Sequence, residues 1–455
     1  MPLILGANSL AGGYQVKNSA RFNSGSSDYL NKTSFGTATN RKIFTLSFWV
    51  KKTTNGDKLL FSAGTSASTN VDQIYFRYPS DVTENTFDVN FYESSTTVLQ
   101  LRTTQYFRDP SAWYHFIVAI DSTQATSSNR AKVYLNGTQI TSFSSATYPS
   151  QNAEFLINST NAHYIAGNLG ASATLDGYLS EFYMIDGQAL TPSSFGETDE
   201  DTGIWKPKAY TGTFGTNGFY LDFEDSANLG NDMSGNNNDF TVNNLTSIDQ
   251  TTDTPTNNFA TLNPITPNSN NLAEGSLKWQ NNSGGWDQRQ STITFSAGKW
   301  YAEMKVNTKG DSIQVGIQLP TLFDDYAPMG EVNNSYIYLS DGRIRNNGSN
   351  VTTGLSTFTD GDIIGIAVDV TNSLLYFYKN GTLVNSGGTS INSGQDWVFG
   401  CGAYDAGTDN VVLWNFGNPP YSSNAYTDGA GYGNFSYAVP SGYYALCTKN
   451  LADFG

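Results

Sequence analysis

The chain is short of cysteine, of charge and above all of basic residues, and each shortage excludes a class of protein. Two cysteines among 455 residues exclude a disulfide-stapled scaffold. Charged residues make up 14% of the chain, against about 25% in an average globular protein. The 24 basic residues are outnumbered by 40 acidic ones, giving a net charge of −16. This balance argues against a nucleic-acid partner, because phosphate contacts need clustered Lys and Arg.

Long apolar runs and a secretion signal are also missing. Apolar stretches such as Phe116–Ile120 are far shorter than the roughly 20 residues of a membrane helix. Residues 1–6 hold no basic residue and only a very short apolar run, so they lack the features of a secretory signal. The sequence predicts a soluble protein with no membrane partner and no secretion signal of its own.

The patterned segments that are present alternate with a period of two. The 27 Phe, 27 Tyr and 8 Trp exclude a disordered chain. Alternating apolar and polar residues occupy 43–51, 113–120, 300–306 and 363–370. Asn-Gly pairs at 136 and 380 are typical of two-residue hairpin turns. No segment longer than about ten residues has helical spacing, so we predict an all-β fold of antiparallel sandwiches or barrels.

Charge and composition divide the chain into two globular bodies. Residues 200–275 hold 2 basic and 10 acidic side chains, half of the net charge. Within them, the Thr-, Asn- and Pro-rich run after 246 has no periodicity and indicates a connector. We predict an N-terminal anchoring arm, two sandwiches and an Asn-rich acidic linker. Their bounds are 1–19 for the arm, 20–246 for the first sandwich, 247–275 for the linker and 276–455 for the second sandwich.

Several motifs carry a resemblance to known families. The first body resembles the laminin-G-like, concanavalin A-like lectin/glucanase sandwich at residues 20–30, 44–50, 113–115, 133–137 and 175–182. The second body resembles a SPRY domain at residues 298–303, 361–365 and 376–381. Together with the terminal segments 2–9 and 442–451, this combination is similar to virion proteins of tailed phages from marine bacteria.

The resemblance implies two concanavalin A-like antiparallel jelly-roll sandwiches on the surface of a virion. Its most direct functional implication is adhesion to host-cell or environmental glycans. A purely structural part of the capsid or tail, with no glycan binding, is the alternative. In either case we expect synthesis in the host cytoplasm and release by lysis. We also expect a homo-oligomer whose arm, 1–19, docks onto other capsid or tail proteins.

Glycan hydrolysis is a third alternative, because the same sandwich hosts glucanases. By resemblance, those enzymes carry two glutamates and an aspartate on one strand. The nearest match, 197–202, lacks the closing glutamate and lies in an acidic loop. His115 and His163 sit in strands, and no Gly-x-Ser-x-Gly elbow accompanies them. We therefore expect no catalytic residue and no enzymatic activity.

The candidate binding residues are aromatic and acidic side chains in predicted loops of the second body. Trp279 and Trp286 bracket a polar, glycine-rich loop, and Tyr404 with Asp405 lies where ligand loops lie in SPRY domains by resemblance. Aromatic faces beside amides and carboxylates suit sugars, which stack and hydrogen-bond at once. The alternative is that both tryptophans pack under the edge of the sandwich.

Calcium is the one cofactor that the sequence leaves open. Laminin-G-like domains often hold an ion with Asp and backbone oxygens, and Asp176 and Asp186 are available for it. Most such aspartates cap turns instead.

Overall fold

The structure, a computed structural model, describes residues 13–78, 85–170, 175–265, 271–322 and 328–455. Most of the predicted arm, residues 1–12, lies outside them. Strands hold 44% of the chain and helix 5%, which confirms the all-β prediction. One α-helix, α1 (Thr448–Phe454), lies in these ranges, and none of their helices has the length and apolarity needed to cross a membrane. Short 3₁₀ turns occupy Ser24–Ser26, Ser127–Asn129, Pro192–Ser194, Ser247–Asp249 and Pro320–Leu322.

The described residues form two compact units, one ending at Thr256 and one beginning at Asn257. The segment predicted as a linker is divided between them. Its strand Gln250–Thr251 pairs with Ser19–Phe22 of the first unit. Phe259 and Leu262, by contrast, form bridges within the second unit, to Cys447 and Ser291.

The first unit contains eighteen named strands within the described ranges. In chain order they are β1 (Ser19–Phe22), β2 (Tyr29–Lys32), β3 (Ile43–Lys52), β4 (Lys58–Ser66), β5 (Asn70–Arg77), β6 (Asn85–Glu93), β7 (Thr96–Phe107), β8 (Tyr114–Asp121), β9 (Ala131–Leu135), β10 (Thr138–Ile140), β11 (Phe143–Thr147), β12 (Ala162–Ile165), β13 (Gly177–Asp186), β14 (Gly196–Thr198), β15 (Trp205–Pro207), β16 (Phe219–Leu221), β17 (Thr241–Asn243) and β18 (Gln250–Thr251).

Two eight-stranded antiparallel sheets build this unit. Sheet A has the order β10-β9-β8-β3-β13-β1-β18, with β16 also paired to β13, and sheet B has the order β11-β7-β6-β5-β4-β12-β2-β17. The alternation in β3 turns Phe48 into the core between the sheets, where it stacks on Phe182 of the neighbouring strand β13 with ring centroids 5.0 Å apart. Phe116 of β8 stacks at 4.0 Å on Phe87 of β6. Burial of one such side chain is worth about 1.5–3 kcal/mol, so the two sheets are held together by their apolar faces.

The two sheets differ in what lies on their outer faces. The outer face of sheet A is covered by aromatic side chains from the segment after β13, including Phe195, Trp205 and Tyr210. The outer face of sheet B carries polar side chains that stay partly exposed.

The second unit is also built from two sheets. Its strands are β19 (Leu272–Ala273), β20 (Lys278–Asn281), β21 (Trp286–Gln290), β22 (Lys299–Thr308), β23 (Ser312–Gln318), β24 (Ser335–Leu339), β25 (Ile344–Asn346), β26 (Ser349–Thr352), β27 (Ile363–Asp369), β28 (Leu374–Lys379), β29 (Thr382–Leu383), β30 (Thr389–Ser390), β31 (Val398–Tyr404), β32 (Asn410–Asn415) and β33 (Tyr444–Ala445). Sheet C follows β19-β20-β32-β22-β27-β28-β29, with β30 and β33 attached, and sheet D follows β21-β31-β23-β24-β25-β26. Their core holds four fully buried tryptophans: Trp279, Trp300, Trp397 and Trp414.

Candidate functional site

An aromatic pair stands at the edge of sheet D. Trp286, the first residue of the edge strand β21, lies directly opposite Tyr404, the last residue of β31, and Tyr404 lies opposite Ser312 of β23. The two rings are 5.2 Å apart between centroids and inclined by 44°. Both side chains are half-buried. The register therefore places two aromatic surfaces and a hydroxyl in one row.

Backbone and side-chain hydrogen bonds fix the loops around this pair. The Asn281 amide donates to the carbonyls of Gly285 and Ala403 at 2.9 and 2.8 Å. Its oxygen accepts from the Ser283 backbone N–H at 3.0 Å. A methyl group added at Gly284 or Gly285 would meet nothing within 4 Å. The hairpin is thus held in place while the space beside its tip stays open.

Asp405 positions these loops instead of facing a ligand. Its carboxylate accepts the backbone N–H groups of Gly284 at 3.1 Å and Gly407 at 2.7 Å. Only 4% of Asp405 is exposed. The carboxylate therefore ties the 281–286 hairpin to the loop that follows β31.

Trp279 does not belong to the binding surface. It is fully buried in strand β20, and the Arg289 guanidinium lies 5.5 Å from its ring centroid. Its ring cannot stack on a sugar, so the expectation that it contacts a ligand is wrong. The alternative, that this tryptophan packs inside the sandwich, describes it correctly; Trp286 instead reaches the surface.

Two residues further along the same strands of sheet D lies a buried amide that the sequence did not single out. Gln314 of β23 is directly opposite Gly402 of β31, which is opposite Gln288 of β21. Gln314 is fully buried, yet neither its Nε2 nor its Oε1 has a hydrogen-bond partner among the described residues. Gly402 leaves room for the Gln314 side chain, because a methyl group added at Gly402 would lie only 2.9 Å from the Gln314 oxygen. An unpaired buried amide costs about 1–3 kcal/mol, and a buried water that pairs with it recovers that cost.

The two aspartates considered for calcium do not share a site. Asp176 immediately precedes β13 and Asp186 ends it, and ten residues of strand span roughly 30 Å. Asp176 bonds the Lys58 ammonium at 2.6 Å and the Ser24 N–H and hydroxyl at 2.8 Å. Burial opposes ionisation of Asp176, but Lys58 and Ser24 outweigh it and hold its pKa below the ordinary value.

Asp186 is occupied by a different set of donors. The backbone N–H groups of Thr39, Asn40 and Asn217 and the Asn158 amide all donate to it, at 2.6 to 3.0 Å. Burial opposes ionisation here too, and these donors hold the pKa of Asp186 below its usual range. Among the described residues no group of three or more His, Cys, Asp or Glu side chains is arranged to hold a metal ion.

A Ser–His contact in sheet A has the wrong proton arrangement for catalysis. The Trp205 indole N–H donates to His115 Nδ1 at 2.9 Å, so the proton of the neutral ring lies on Nε2 and points to the Ser47 hydroxyl at 2.9 Å. His115 also stacks on Trp49 at 4.7 Å and is 1% exposed. Burial lowers its pKa to about 3. A histidine that donates to the serine cannot remove its proton.

The acidic loop 197–202 has a structural arrangement as well. Asp199 accepts from the Thr202 N–H at 3.0 Å and hydroxyl at 2.9 Å and pairs with the Lys206 ammonium at 3.1 Å. These contacts close a turn and leave the carboxylate paired with a cation.

Comparisons with known proteins give family names to parts of the two units. Residues 24–194 match the sequence profile of the concanavalin A-like lectin/glucanases superfamily, and residues 299–393 match that of the SPRY domain. The chain carries a concanavalin A-like domain and a SPRY domain. The two domain families expected from the motifs are therefore confirmed.

Other comparisons add less. No curated protein matches the chain in sequence. The SPRY domain of human HERC1 is 18% identical over 30% of this chain and 87% of its own length, with a TM-score of 0.27. A second human SPRY domain is 18% identical over 30% of this chain and 90% of its own, with a TM-score of 0.25.

Proposed function

We propose that this chain is a non-enzymatic glycan-binding protein of a tailed-phage virion, which adheres to host-cell or environmental glycans. The observation that carries the proposal is the half-buried Trp286–Tyr404 pair, which lies in line with Ser312 and beside the open tip of the 281–286 hairpin. Aromatic rings stack on the C–H face of a sugar, and a hydroxyl such as that of Ser312 both donates to and accepts from sugar hydroxyl groups.

The described residues favour binding over hydrolysis. His115 is neutral and buried, and it donates to Ser47. Asp199 is paired with Lys206 in the acidic loop. Retaining hydrolysis needs two carboxyl groups about 5 Å apart in an open cleft, and neither arrangement supplies them.

The virion assignment is supported by the motif resemblance described above. In this proposal the chain is made in the host cytoplasm, released by lysis and assembled as a homo-oligomer. The arm 1–19 would dock onto capsid or tail proteins. A purely structural decoration or fibre component shares all of these features except sugar affinity, so the binding experiment separates the two functions.

The test is glycan binding by the purified full-length chain, on a glycan array and to lipopolysaccharide from marine bacteria. We expect saturable binding that Trp286→Ala weakens about tenfold, which corresponds to about 1.4 kcal/mol. The matched control is Tyr426→Ala in the same unit, since Tyr426 is 47% exposed and far less enclosed than the pair. Tyr426→Ala should keep the wild-type melting temperature, whereas Trp286→Ala loses the ring contact with Tyr404 and should melt at a slightly lower temperature.

Three outcomes decide the function. Loss of binding in Trp286→Ala with an unchanged control supports adhesion through the aromatic pair. No binding by the wild-type chain would favour the purely structural component. Loss of wild-type binding with a calcium chelator would show that a metal ion takes part despite the paired Asp176 and Asp186.

A further inference from the structure

A lysine and an aspartate meet in the interior of the first unit, on the outer face of sheet A. Lys51 of β3 points to this face, because its neighbours Phe48 and Val50 are buried in the core between the sheets. Its Nζ lies 2.7 Å from Oδ2 of Asp253, which follows β18. The Lys51 side chain has no exposed surface, and that of Asp253 is 2% exposed. An amine and a carboxyl group are therefore in contact in a site closed to bulk water.

Backbone contacts hold Asp253 in this position. The Ser19 hydroxyl donates to the Asp253 carbonyl at 2.6 Å, and the Asp253 N–H donates to the Thr251 hydroxyl at 3.2 Å. The strand just before it, β18, pairs with β1. The fold thus delivers the carboxyl group to Lys51 from a distant part of the chain. Reactive groups that are well oriented within one molecule reach effective concentrations of about 10⁵–10⁸ M.

Aromatic side chains surround the pair. The Lys51 Nζ lies 5.5 Å from the ring centroid of Tyr178, which is fully buried. The Trp113 indole N–H donates to Asp253 Oδ1 at 3.0 Å. Burial deprives the ammonium and the carboxylate of their hydration, whereas an amide carries no charge to hydrate. The site therefore favours an uncharged product over the ion pair.

We propose that Lys51 and Asp253 condense into an intramolecular isopeptide bond. A proton passes from the Lys51 ammonium to Asp253 Oδ2, and the uncharged amine adds its electron pair to the carboxyl carbon. The Trp113 N–H stabilises the negative charge that develops on Oδ1. A second amine proton moves to the Oδ2 hydroxyl, the bond between carbon and Oδ2 breaks, and one water leaves. The reaction needs no oxidant, cofactor or second substrate.

A second ion pair of the same unit lacks the features that favour condensation. Lys58 Nζ lies 2.6 Å from Asp176 Oδ2, but the two side chains are 10% and 12% exposed. Asp176 also accepts the Ser24 N–H and hydroxyl. Although burial opposes ionisation, Lys58 and Ser24 hold the pKa of Asp176 below its ordinary value. A carboxylate that stays ionised is a poor electrophile, so this pair remains an ion pair and serves as the matched control.

The isopeptide bond gives the first unit a covalent cross-link without cysteine. It ties residue 253, close to the end of the unit, to β3. Like a disulfide, it restricts the unfolded chain and so favours the folded state. Both cysteines of the chain, Cys401 and Cys447, are free and lie in the other unit. The bond is independent of the Trp286–Tyr404 site and of any glycan.

The test is mass spectrometry of the purified full-length chain. We expect an intact mass lower by one water than the sequence requires. A combined tryptic and chymotryptic digest should contain a branched peptide that joins Lys51 to Asp253, with cleavage after Lys58 but not after Lys51. Lys51→Arg keeps a cation beside Asp253 but replaces the amine, so it should have the full mass. Lys58→Arg should lose one water as the wild type does, and Trp113→Phe should lower the joined fraction in freshly purified protein.

The proposal is overturned if the folded wild-type chain keeps its full mass on prolonged storage and yields separate Lys51 and Asp253 peptides. It is also overturned if a water is lost but the digest places the loss elsewhere, as in a succinimide at Asp341 and Gly342, which Lys51→Arg would still show. Neither result involves a glycan, so failure here leaves the proposed function to its own test.

Discussion

At the scale of single residues, two buried amide side chains illustrate polar groups that lack a hydrogen-bond partner in the described part of the chain. Gln314 in the second unit and Asn90 in the first are both buried, and each has a polar atom without a partner among the described residues. Each such group makes folding less favourable, by about 1–3 kcal/mol. The buried aspartates Asp176, Asp186 and Asp405, by contrast, all accept backbone N–H groups.

Gln314→Leu should separate stability from binding. Leucine fills a similar volume without a polar atom, so we expect the free energy of unfolding to stay constant or rise by about 1 kcal/mol. Glycan affinity should stay at the wild-type value, because the buried amide does not reach the surface. Urea unfolding and calorimetric titration measure the two effects. A drop in stability would instead indicate that the amide holds a structural water.

Asp72 makes the stability of the first unit depend on pH. Its Oδ2 accepts the backbone N–H groups of Leu156 and Ile157 at 2.7 and 2.8 Å. Burial raises its pKa to about 7, although these two bonds and Arg41 oppose the rise. The unfolded chain releases this proton near pH 4, so the folded state binds more protons between pH 4 and 7. The contribution of Asp72 is therefore largest below pH 4 and is lost as the pH rises through 7.

Asp72→Asn should flatten that dependence, since its amide oxygen can still accept both N–H groups. The free energy of unfolding of the wild type should fall between pH 4.5 and 8, by at most about 4 kcal/mol from this group, and the variant should lose less. Urea unfolding at pH 4.5, 6 and 8 measures the difference. The exposed Asp201, replaced by Asn, is the control and should keep the wild-type slope. Parallel curves for Asp72→Asn and the wild type would contradict the prediction.

At the scale of elements, the same hairpin closes a strand pair in each unit. Asn136 and Asn380 both lie in the left-handed region, with φ of 45° and 50°. The Asn136 oxygen accepts the His115 N–H at 2.8 Å, and that of Asn380 accepts the Ile363 N–H at 2.8 Å. In both hairpins the asparagine side chain therefore extends the hydrogen bonding to the start of the neighbouring strand.

Gly137→Ala tests how closely the first hairpin is packed. Gly137 has a φ of 82°, and an added methyl would lie 2.5 Å from the Trp205 ring. Gly203, with a φ of 71°, has nothing within 4 Å, so Gly203→Ala measures backbone strain alone, about 1–2 kcal/mol. We expect Gly137→Ala to lose more stability and to alter Trp205 fluorescence, because the ring must move away from His115. Equal losses in calorimetry would show that the Trp205 contact relaxes freely.

The strands could be predicted from the sequence because their signal is local. The alternation in 43–51 and 363–370 became Ile43–Lys52 and Ile363–Asp369 with small shifts at the ends. The site could not be predicted in the same way. Trp279 shares the inward face of β20 with Asn281, a polar residue that is also fully buried. Hydropathy therefore does not mark the inward side of that strand.

Long-range register explains the rest of what the sequence missed. The Gln314 side chain has room only because the residue opposite it, Gly402, has no side chain. Gly402 lies on a neighbouring strand but far away in the chain.

At the scale of the whole molecule, the acidic middle of the chain serves the first unit more than it serves as a spacer. Asp232 accepts the backbone N–H groups of Tyr220, Ser234 and Asn238 at 2.8 to 2.9 Å. Asp249 forms a capping box with Thr246. These carboxylates satisfy backbone donors in irregular segments, which explains why Asp and Asn concentrate there.

The N-terminal segment has two parts that truncation should separate. The Tyr14 hydroxyl donates to Glu181 at 3.0 Å, the Val16 carbonyl accepts from Thr256 at 3.0 Å, and Ser19 belongs to β1. Removal of residues 1–19 should therefore lower the melting temperature of the first unit. Removal of 1–12 alone should preserve it yet abolish self-association and incorporation into particles, if the arm docks onto partner subunits as we propose. For both truncations, calorimetry measures the melting temperature and sedimentation velocity measures self-association. Normal assembly after removal of residues 1–12, or an equal loss of stability in the two truncations, would contradict an anchoring role for the arm.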